Sequence, residues 1–471
     1  MGIVGTIEAL ALSAVHLALA ACVTGHVLLT KRNVGTSIAW IGLAWLSPMI
    51  GSILYVLFGI NRVRARAIFL KEKRPQREAV PSSFSTTLTA DHLSPLELTV
   101  GRITGRRAAE GNNVVLLRNG DEAYPRMIAA IESARASIAL STYIFRIDRV
   151  GMAFADALTK AHRRGVDVRV IVDGIGGGYI ASPAYRFLRR NGVPVARFLH
   201  SPLPWRMPFL NLRTHKKLLS VDGRIAFAGG LNIGDENRVR DNPPYPVRDT
   251  HFLFEGPVVA QLNEVFAEDW LFVSGEQLTG KAWFPAIDEI GTAIARAIAS
   301  GPDQDIEKIE SVTLQAIACA RRSIRIMTPY FLSDDRLVTS LALASMRGIE
   351  VDIIVPEKNN HLIMDWAMQA QFGPLVEAGC RVWNNPPPFD HSKIMTVDGI
   401  WGLIGSANWD TRSFRLNFEL DVEIYHSDLV QRIDRSLTAA QGRCLTPTEL
   451  RSRPVSVRLR DSAARLLLPY L

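Results

Sequence analysis

A long motif occurs twice in this chain, and the repetition narrows the possible folds more than any other property. The first copy reads His215-Lys-Lys217-Leu-Leu-Ser-Val-Asp222-Gly223 and continues to Gly229-Gly-Leu-Asn232. The second reads His391-Ser-Lys393-Ile-Met-Thr-Val-Asp398-Gly399 and continues to Gly405-Ser-Ala-Asn408. Counted from each histidine, lysine falls at +2, aspartate at +7, glycine at +14 and asparagine at +17 in both copies. The match extends upstream, where Ile131, Ala134, Arg135, Ser137, Ile138 and Thr142 recur without gaps as Ile317, Ala320, Arg321, Ser323, Ile324 and Thr328. Each copy then carries a helical stretch closing on Arg-Gly, Arg164-Gly165 and Arg347-Gly348, followed by a β-branched run over 166–172 and 349–355. A helix ended by glycine and followed by an apolar run is the signature of a βαβ unit. Two copies predict two α/β halves, each with its own sheet covered by helices. A solenoid needs at least three repeats.

The spacing has a chemical reading. Residues i and i+2 of a strand share a face, which puts each histidine beside its lysine. Asp-Gly favours a two-residue hairpin, so Asp222 and Asp398 are expected to close hairpins whose return strands lead to Asn232 and Asn408. Each half then offers an imidazole, an ammonium and a carboxamide, and pairing the halves doubles the set around one pocket. Such a pocket suits a phosphodiester. Lys217, Lys393, Asn232 and Asn408 would hold the non-bridging oxygens and stabilise charge on a five-coordinate phosphorus without a metal or other cofactor. One histidine, His215 or His391, attacks phosphorus, while the other protonates the leaving alcohol and deprotonates the incoming one. Asp222 and Asp398 fit either a catalytic role or a purely structural turn.

Apolar composition gathers in the first sixty residues. Ile3 to Thr30 has one acidic residue, Glu8, and two histidines, while Val34 to Ile60 has no charge. Each run exceeds the roughly 20 residues that cross a hydrocarbon core. Lys31-Arg32-Asn33 between them is short enough for a hairpin turn, and Pro48 is tolerated in a lipid-embedded helix by kinking. No Lys or Arg precedes Lys31, so the basic start of a secretory signal is missing. Seven basic side chains from Arg62 to Arg77 follow the second run against two in the turn, which predicts that everything after residue 60 is cytoplasmic. A net charge of +8, from 54 basic and 46 acidic residues, favours anionic partners. Cys22, Cys319, Cys380 and Cys444 show no CxxC spacing, which argues for a reducing compartment and against a zinc site. Residues 78–100 read as a linker. Two further segments mix basic with apolar residues and fit either a bilayer surface or internal packing: Leu203 to Leu210, and Val455 to Leu471.

The paired motifs resemble the HxKxxxxD signatures of the phospholipase D superfamily, and their context resembles bacterial cardiolipin synthases of the membrane-anchored type. The resemblance rests on Ile38-Ala-Trp40, Pro48 and Leu54 to Gly59, then Gly229 to Glu236 and Arg248-Asp249-Thr250-His251. It continues in Gly405 to Asp410, Arg412-Ser413 and Asn417-Phe418-Glu419, so that it spans nearly the whole chain. It implies two phospholipase D-like α-β-α halves packed face to face with pseudo-two-fold symmetry, behind a transmembrane helical hairpin. The expected divisions are 1–62 for the hairpin, 63–105 for a basic segment and linker, and 106–290 and 291–471 for the halves. It further implies that two phosphatidylglycerol molecules become cardiolipin and glycerol through a phosphatidyl-histidine at the inner membrane. His215 is then the nucleophile and His391 the acid and base, with Lys217, Lys393, Asp222 and Asp398 completing the catalytic set. Asn232, Asn408, Asp249 and Glu419 serve the substrate, the two acidic residues by orienting a histidine. Phosphatidylglycerol and anionic lipids are the expected partners, nucleic acid is not, and the oligomeric state is open. Three alternatives stand beside this reading: a phospholipase D that hydrolyses, a tethered phosphodiesterase acting on nucleic acid, and a scaffold without activity. The spread of charge, with no basic stripe carrying stacking aromatics, speaks against nucleic acid. Two intact His-Lys-Asn sets speak against a scaffold.

Overall fold

The computed structural model describes residues 3–31, 34–59, 91–200, 212–302 and 305–466. The chain divides into two units, Met1–Phe69 and Leu70–Leu471. In the first, Ile3–Thr30 is one 28-residue helix, of which Leu10–Thr30 is long and apolar enough to cross a membrane. The second apolar run is a 13-residue helix, Val34–Leu46, that stops at Ser47. Pro48, which has no N–H to donate, begins a further helix to Leu54. Val23, Val27, Ala44 and Tyr55 pack together, and the Tyr55 hydroxyl lies 2.6 Å from His26 Nδ1. Leu12, Leu17, Leu28, Ile38, Leu46 and Ile50 point outward instead. The basic residues from Arg62 to Arg77 and the Leu203–Leu210 segment lie outside the described residues.

The second unit is built on strands. The first copy supplies β1 (Ala109–Arg118), β2 (Ser137–Thr142), β3 (Asp167–Asp173), β4 (Val195–Phe198), β5 (Arg213–Thr214), β6 (Leu218–Val221), β7 (Ile225–Gly229), β8 (Val247–Arg248) and β9 (Thr250–Glu255). The second supplies β10 (Ala293–Ser300), β11 (Ser323–Met327), β12 (Phe331–Leu332), β13 (Glu350–Pro356), β14 (Arg381–Asn385) and β15 (Phe389–Asp390). It continues with β16 (Ile394–Val397), β17 (Trp401–Gly405), β18 (Trp409–Asp410), β19 (Asn417–Tyr425) and β20 (Arg443–Cys444). Their order is β4-β3-β2-β6-β7-β9-β1 and then β10-β19-β17-β16-β11-β13-β14-β20.

This is one continuous sheet, which corrects the expectation of a separate sheet for each half. The cause is β1. Its residues Asn113 to Arg118 pair with β9, whereas Ala109 and Asn112 pair with β10 across an irregularity in register. The Asn112 side chain seals that break, donating to the carbonyls of Ala109 and Ala293 and accepting from Val258 N–H. A strand edge left open in either half would invite aggregation, and here the two edges cover each other. One apolar core consequently bridges the copies, joining Phe198, Phe252, Phe254 and Phe266 to Met327, Ile394, Ile404 and Phe418.

Residues 91–104, expected to finish a linker, instead form a short turn and the helix Ser94–Thr104. Leu93, Leu96 and Val100 recur on one face and pack into the second-copy core with Ile309 and Ile317. The fully buried Arg296 fastens this helix to the sheet, donating to the Glu97 carbonyl and pairing with Glu423. The two Asp-Gly hairpins form as the spacing predicts, joining β6 to β7 and β16 to β17. Their turn residues have φ of 53° and 65° at Asp222 and Gly223, and 57° and 68° at Asp398 and Gly399. That is the left-handed conformation these residue types tolerate best.

Candidate active site

Short strands exchanged between the copies carry the histidines to one place. β5 runs parallel to β19, with Thr214 opposite Phe418, and β15 runs parallel to β8, with Asp390 opposite Arg248. The next residue in each case is the histidine. His215 N–H donates to the Phe418 carbonyl at 2.8 Å, and His391 N–H to the Arg248 carbonyl at 2.7 Å. Each histidine is thus pinned by the other copy's backbone. The rings lie 6.4 Å apart, nearly perpendicular at 87°. Both line one cavity of about 590 Å³, together with Asn232, Asn408 and Asp249.

The carboxylate partners are crossed as well. His215 Nδ1 lies 3.0 Å from both oxygens of Glu419, and His391 Nδ1 lies 2.9 Å from Asp249 Oδ2. An ionised carboxylate can only accept, so beside Glu419 the His215 Nδ1 carries the proton and Nε2 is left as the basic nitrogen, whereas His391 Nδ1 faces both a carboxylate and the Lys393 ammonium. Glu419 is itself held by Ser406 Oγ at 2.5 Å and Asn417 Nδ2 at 3.0 Å. The lysines are buried beside the rings. Lys217 Nζ donates to the His215 carbonyl at 2.6 Å, and Lys393 Nζ lies 2.7 Å from His391 Nδ1. Lys217 also sits over the Tyr143 ring at 5.6 Å.

Burial governs the charges. It pushes both imidazoles well below the usual histidine range, helped by the nearby lysines, which favours their neutral form. It brings Lys217 down to about 7 and Lys393 to about 8, against the pull of the carboxylates. It raises Glu419 to about 7 and raises Asp249 too, each opposed by the lysines. Lys217, Lys393 and Glu419 therefore exchange protons near neutral pH.

Asp222 and Asp398 are not brought to the cavity wall. The Asp222 carboxylate accepts from the N–H groups of Arg135, Ala136 and Ser137 at 2.6 to 3.1 Å. Asp398 does the same for Arg321, Arg322 and Ser323, and meets His92 Nε2 at 2.8 Å. Lys216, between His215 and Lys217, turns away to a buried pair with Asp269 at 2.7 Å. Sequence reasoning missed several wall residues: Tyr143, whose ring is 5.1 Å from His215, Tyr330, at 6.4 Å from His391, and Arg213. Arg213 gave no signal because the second copy has Phe389 at the matching position. Among the described residues no group of three His, Cys, Asp or Glu side chains converges to hold a metal ion.

Comparison with known proteins shows the family. A family model described as cardiolipin synthase, PLD-like domain, matches residues 127–270 and 313–440. The chain belongs to the cardiolipin synthases of the phospholipase D superfamily. Among curated members of the family, a cardiolipin synthase of Geobacillus kaustophilus is 33% identical over 94% of this chain and 90% of its own length. The major cardiolipin synthase ClsA of Bacillus subtilis is 32% identical over 94% and 95%. The crystal structure of phosphatidylserine synthase from Haemophilus influenzae covers 76% of this chain and 95% of its own at a TM-score of 0.59 and 16% identity, a likeness of fold. The family therefore covers both copies of the motif and the strands that cross between them.

Proposed function

We propose that this chain is a cardiolipin synthase, a phosphatidyltransferase that joins two phosphatidylglycerol molecules into cardiolipin and releases glycerol. The observation that carries the reading is the pair of imidazoles in one cavity, 6.4 Å apart, each with a carboxylate on Nδ1. A phosphodiester held between them meets a nucleophile on one side and a proton donor on the other, as in-line displacement requires. His215 Nε2 attacks phosphorus, the bond to the glycerol oxygen breaks, and His391 gives that oxygen its proton. The terminal hydroxyl of a second phosphatidylglycerol then gives its proton to His391 and attacks phosphorus, which frees His215. Resemblance to the family assigns these two parts. The first step needs His391 protonated, and the incoming anionic phosphate raises its affinity for a proton. Lys217, Lys393, Asn232 and Asn408 hold the non-bridging oxygens. Asp222 and Asp398 act through the hairpins, by holding the strands that present the lysines.

The halves are taken as 106–290 and 291–471, related by a pseudo-two-fold axis through the site. The mirrored strand order and the matched crossings of β5 and β15 support that arrangement. The two apolar runs are read as a membrane hairpin, and the basic residues after 60 put the catalytic unit on the cytoplasmic face of the inner membrane. The outward-facing Leu and Ile side chains of the helices support burial in lipid. The Val455–Arg465 helix supports a second contact with the bilayer. Val455, Leu459 and Leu466 are exposed along one stripe, flanked by Arg458 and Arg465, while Val457, Asp461 and Ala464 face inward. Arg460 stacks on Trp366, 4.6 Å from the ring, and ties this helix to Leu362–Gln369, whose Met364 lines the cavity.

The decisive experiment is incubation of the purified protein with phosphatidylglycerol alone, followed by lipid analysis. Cardiolipin and glycerol in equal amounts are expected. Phosphatidic acid without cardiolipin would identify a hydrolase instead.

A further inference from the structure

The duplication leaves a second trace on the surface of the molecule. Aligning Val166 with Ile349 places Tyr179 on Leu362 and Ile180 on Ile363 without a gap. Both segments follow the carboxyl end of a parallel strand, β3 in one copy and β13 in the other, where open α/β sheets bind their ligands. Ile180 is 93% exposed, more than any other large apolar side chain among the described residues, and Leu362 and Ile363 are 67% and 44% exposed. Each segment is fastened beside its own copy's histidine. In the first copy, Asp173 at the end of β3 accepts from the N–H of Thr214, next to His215. Gly176 lies so close to the Tyr143 ring that a Cβ there would stand 2.5 Å from it. Arg197 donates to the carbonyls of Gly178 and Tyr179 at 2.6 and 2.8 Å, fixing the backbone that presents Ile180. In the second copy, the Tyr330 hydroxyl donates to Asn360 Oδ1 at 2.7 Å, and Asn360, His361 and Met364, on either side of Leu362 and Ile363, line the cavity. Tyr245, also exposed, lines it as well.

Single exposed apolar side chains are ordinary on a protein surface. These recur at equivalent positions of the two copies, and both positions adjoin the reaction cavity. The size and chemistry of the cavity give them a use. A volume of about 590 Å³ walled by Arg146, His215, Asn232, Asp249, His391 and Asn408 takes polar headgroups. The four acyl chains of two phospholipids fit neither that volume nor that wall, so they stay in the bilayer while the headgroups react. The mouth of the cavity must then lie against lipid, and apolar side chains that are unfavourable in water become favourable there. The helix Leu362–Gln369 also carries Trp366, on which Arg460 of the Val455–Arg465 helix stacks. The mouth is thus continuous with the bilayer contact proposed for that helix.

We propose that Ile180 of the first copy and Leu362 and Ile363 of the second form a lipid-facing rim that inserts into the bilayer at the mouth of the cavity. The inference rests on the phosphatidyltransferase reading above and deepens it, since it says how a headgroup enters the cavity while its chains remain in the membrane. It makes the rim a determinant of activity on lipid in a bilayer, with no part in the reaction of the same headgroup in free solution.

The test gives the full-length protein two substrates with one headgroup: long-chain phosphatidylglycerol in the vesicles that hold the protein, and dibutyryl phosphatidylglycerol dissolved as monomers. Ile180→Gln and Ile363→Gln are each expected to lower cardiolipin formation from the long-chain lipid about 10-fold, the effect of losing one buried aliphatic side chain at the interface. Turnover of the dissolved short-chain lipid should stay within about twofold of the parent, which also shows that the variants are folded. Ile180→Trp, which keeps an apolar side chain suited to the interface, should retain most of the long-chain activity. Equal loss on both substrates would overturn the rim and leave the transferase reading intact. So would no loss on either, the result expected if these side chains serve a protein partner instead. A parent protein that makes no cardiolipin from either lipid overturns both.

Discussion

Glu419 and Asp249 each reach across to the histidine of the opposite copy, and this crossing sets what single substitutions should do. Glu419→Gln offers an N–H to a nitrogen that must itself donate, which favours the wrong tautomer of His215. A fall in kcat of about 10²- to 10⁴-fold with little change in KM is expected, read by steady-state kinetics on phosphatidylglycerol micelles. Since Glu419 acts through His215, the double variant with His215→Ala should be no worse than His215→Ala alone. His215→Ala and His391→Ala should each remove transfer while leaving the melting curve near that of the parent. The pH profile follows from the same groups. Glu419 ionises as pH rises through about 7, and the lysines lose their protons near 7 and 8. Activity that needs the carboxylate charged and the ammonium groups charged therefore rises and then falls, peaking near 7. A kcat/KM profile that stays flat well into the alkaline range would contradict this arrangement.

At the scale of elements, the hairpins and the C-terminal helix make separate predictions. Asp222→Ala would strand three N–H groups and put alanine at a φ of 53°. A loss of about 2–4 kcal/mol in stability is expected, with the activity of the remaining folded protein close to that of the parent. Thermal melting combined with specific activity would show a catalytic role instead if activity fell and the melting point did not. For the Val455–Arg465 helix, Leu459→Gln should remove an apolar contact that anionic and neutral bilayers supply alike, and so speed amide hydrogen exchange in this helix when the protein is embedded in vesicles of either kind. The side chain is 66% exposed, so little fold stability depends on it. The Ser94–Thr104 helix shows how composition can conceal an element. Its Ser and Pro residues stand at the start, where proline suits a helix, while Leu93, Leu96 and Val100 supply the apolar spacing.

At the scale of the whole molecule, neither copy holds a complete site. Each histidine takes its backbone anchor and its carboxylate from the other copy, and β1 joins the two sets of strands into one sheet. A chain divided between residues 290 and 291 should give two inactive fragments, and co-expression should restore cardiolipin formation in a membrane fraction. Activity in one fragment alone would refute the crossed arrangement. The amino-acid sequence by itself determined the duplicated α/β architecture, the His-Lys-Asn sets and the hairpins, because these depend on periods and spacings of a few residues. Only the tertiary structure decided that one sheet runs through both copies, that the carboxylates cross, and that Arg213 and Arg412 line the same cavity. Those outcomes follow from which strand edges pair across more than a hundred residues of chain, and local spacing carries no record of such pairing.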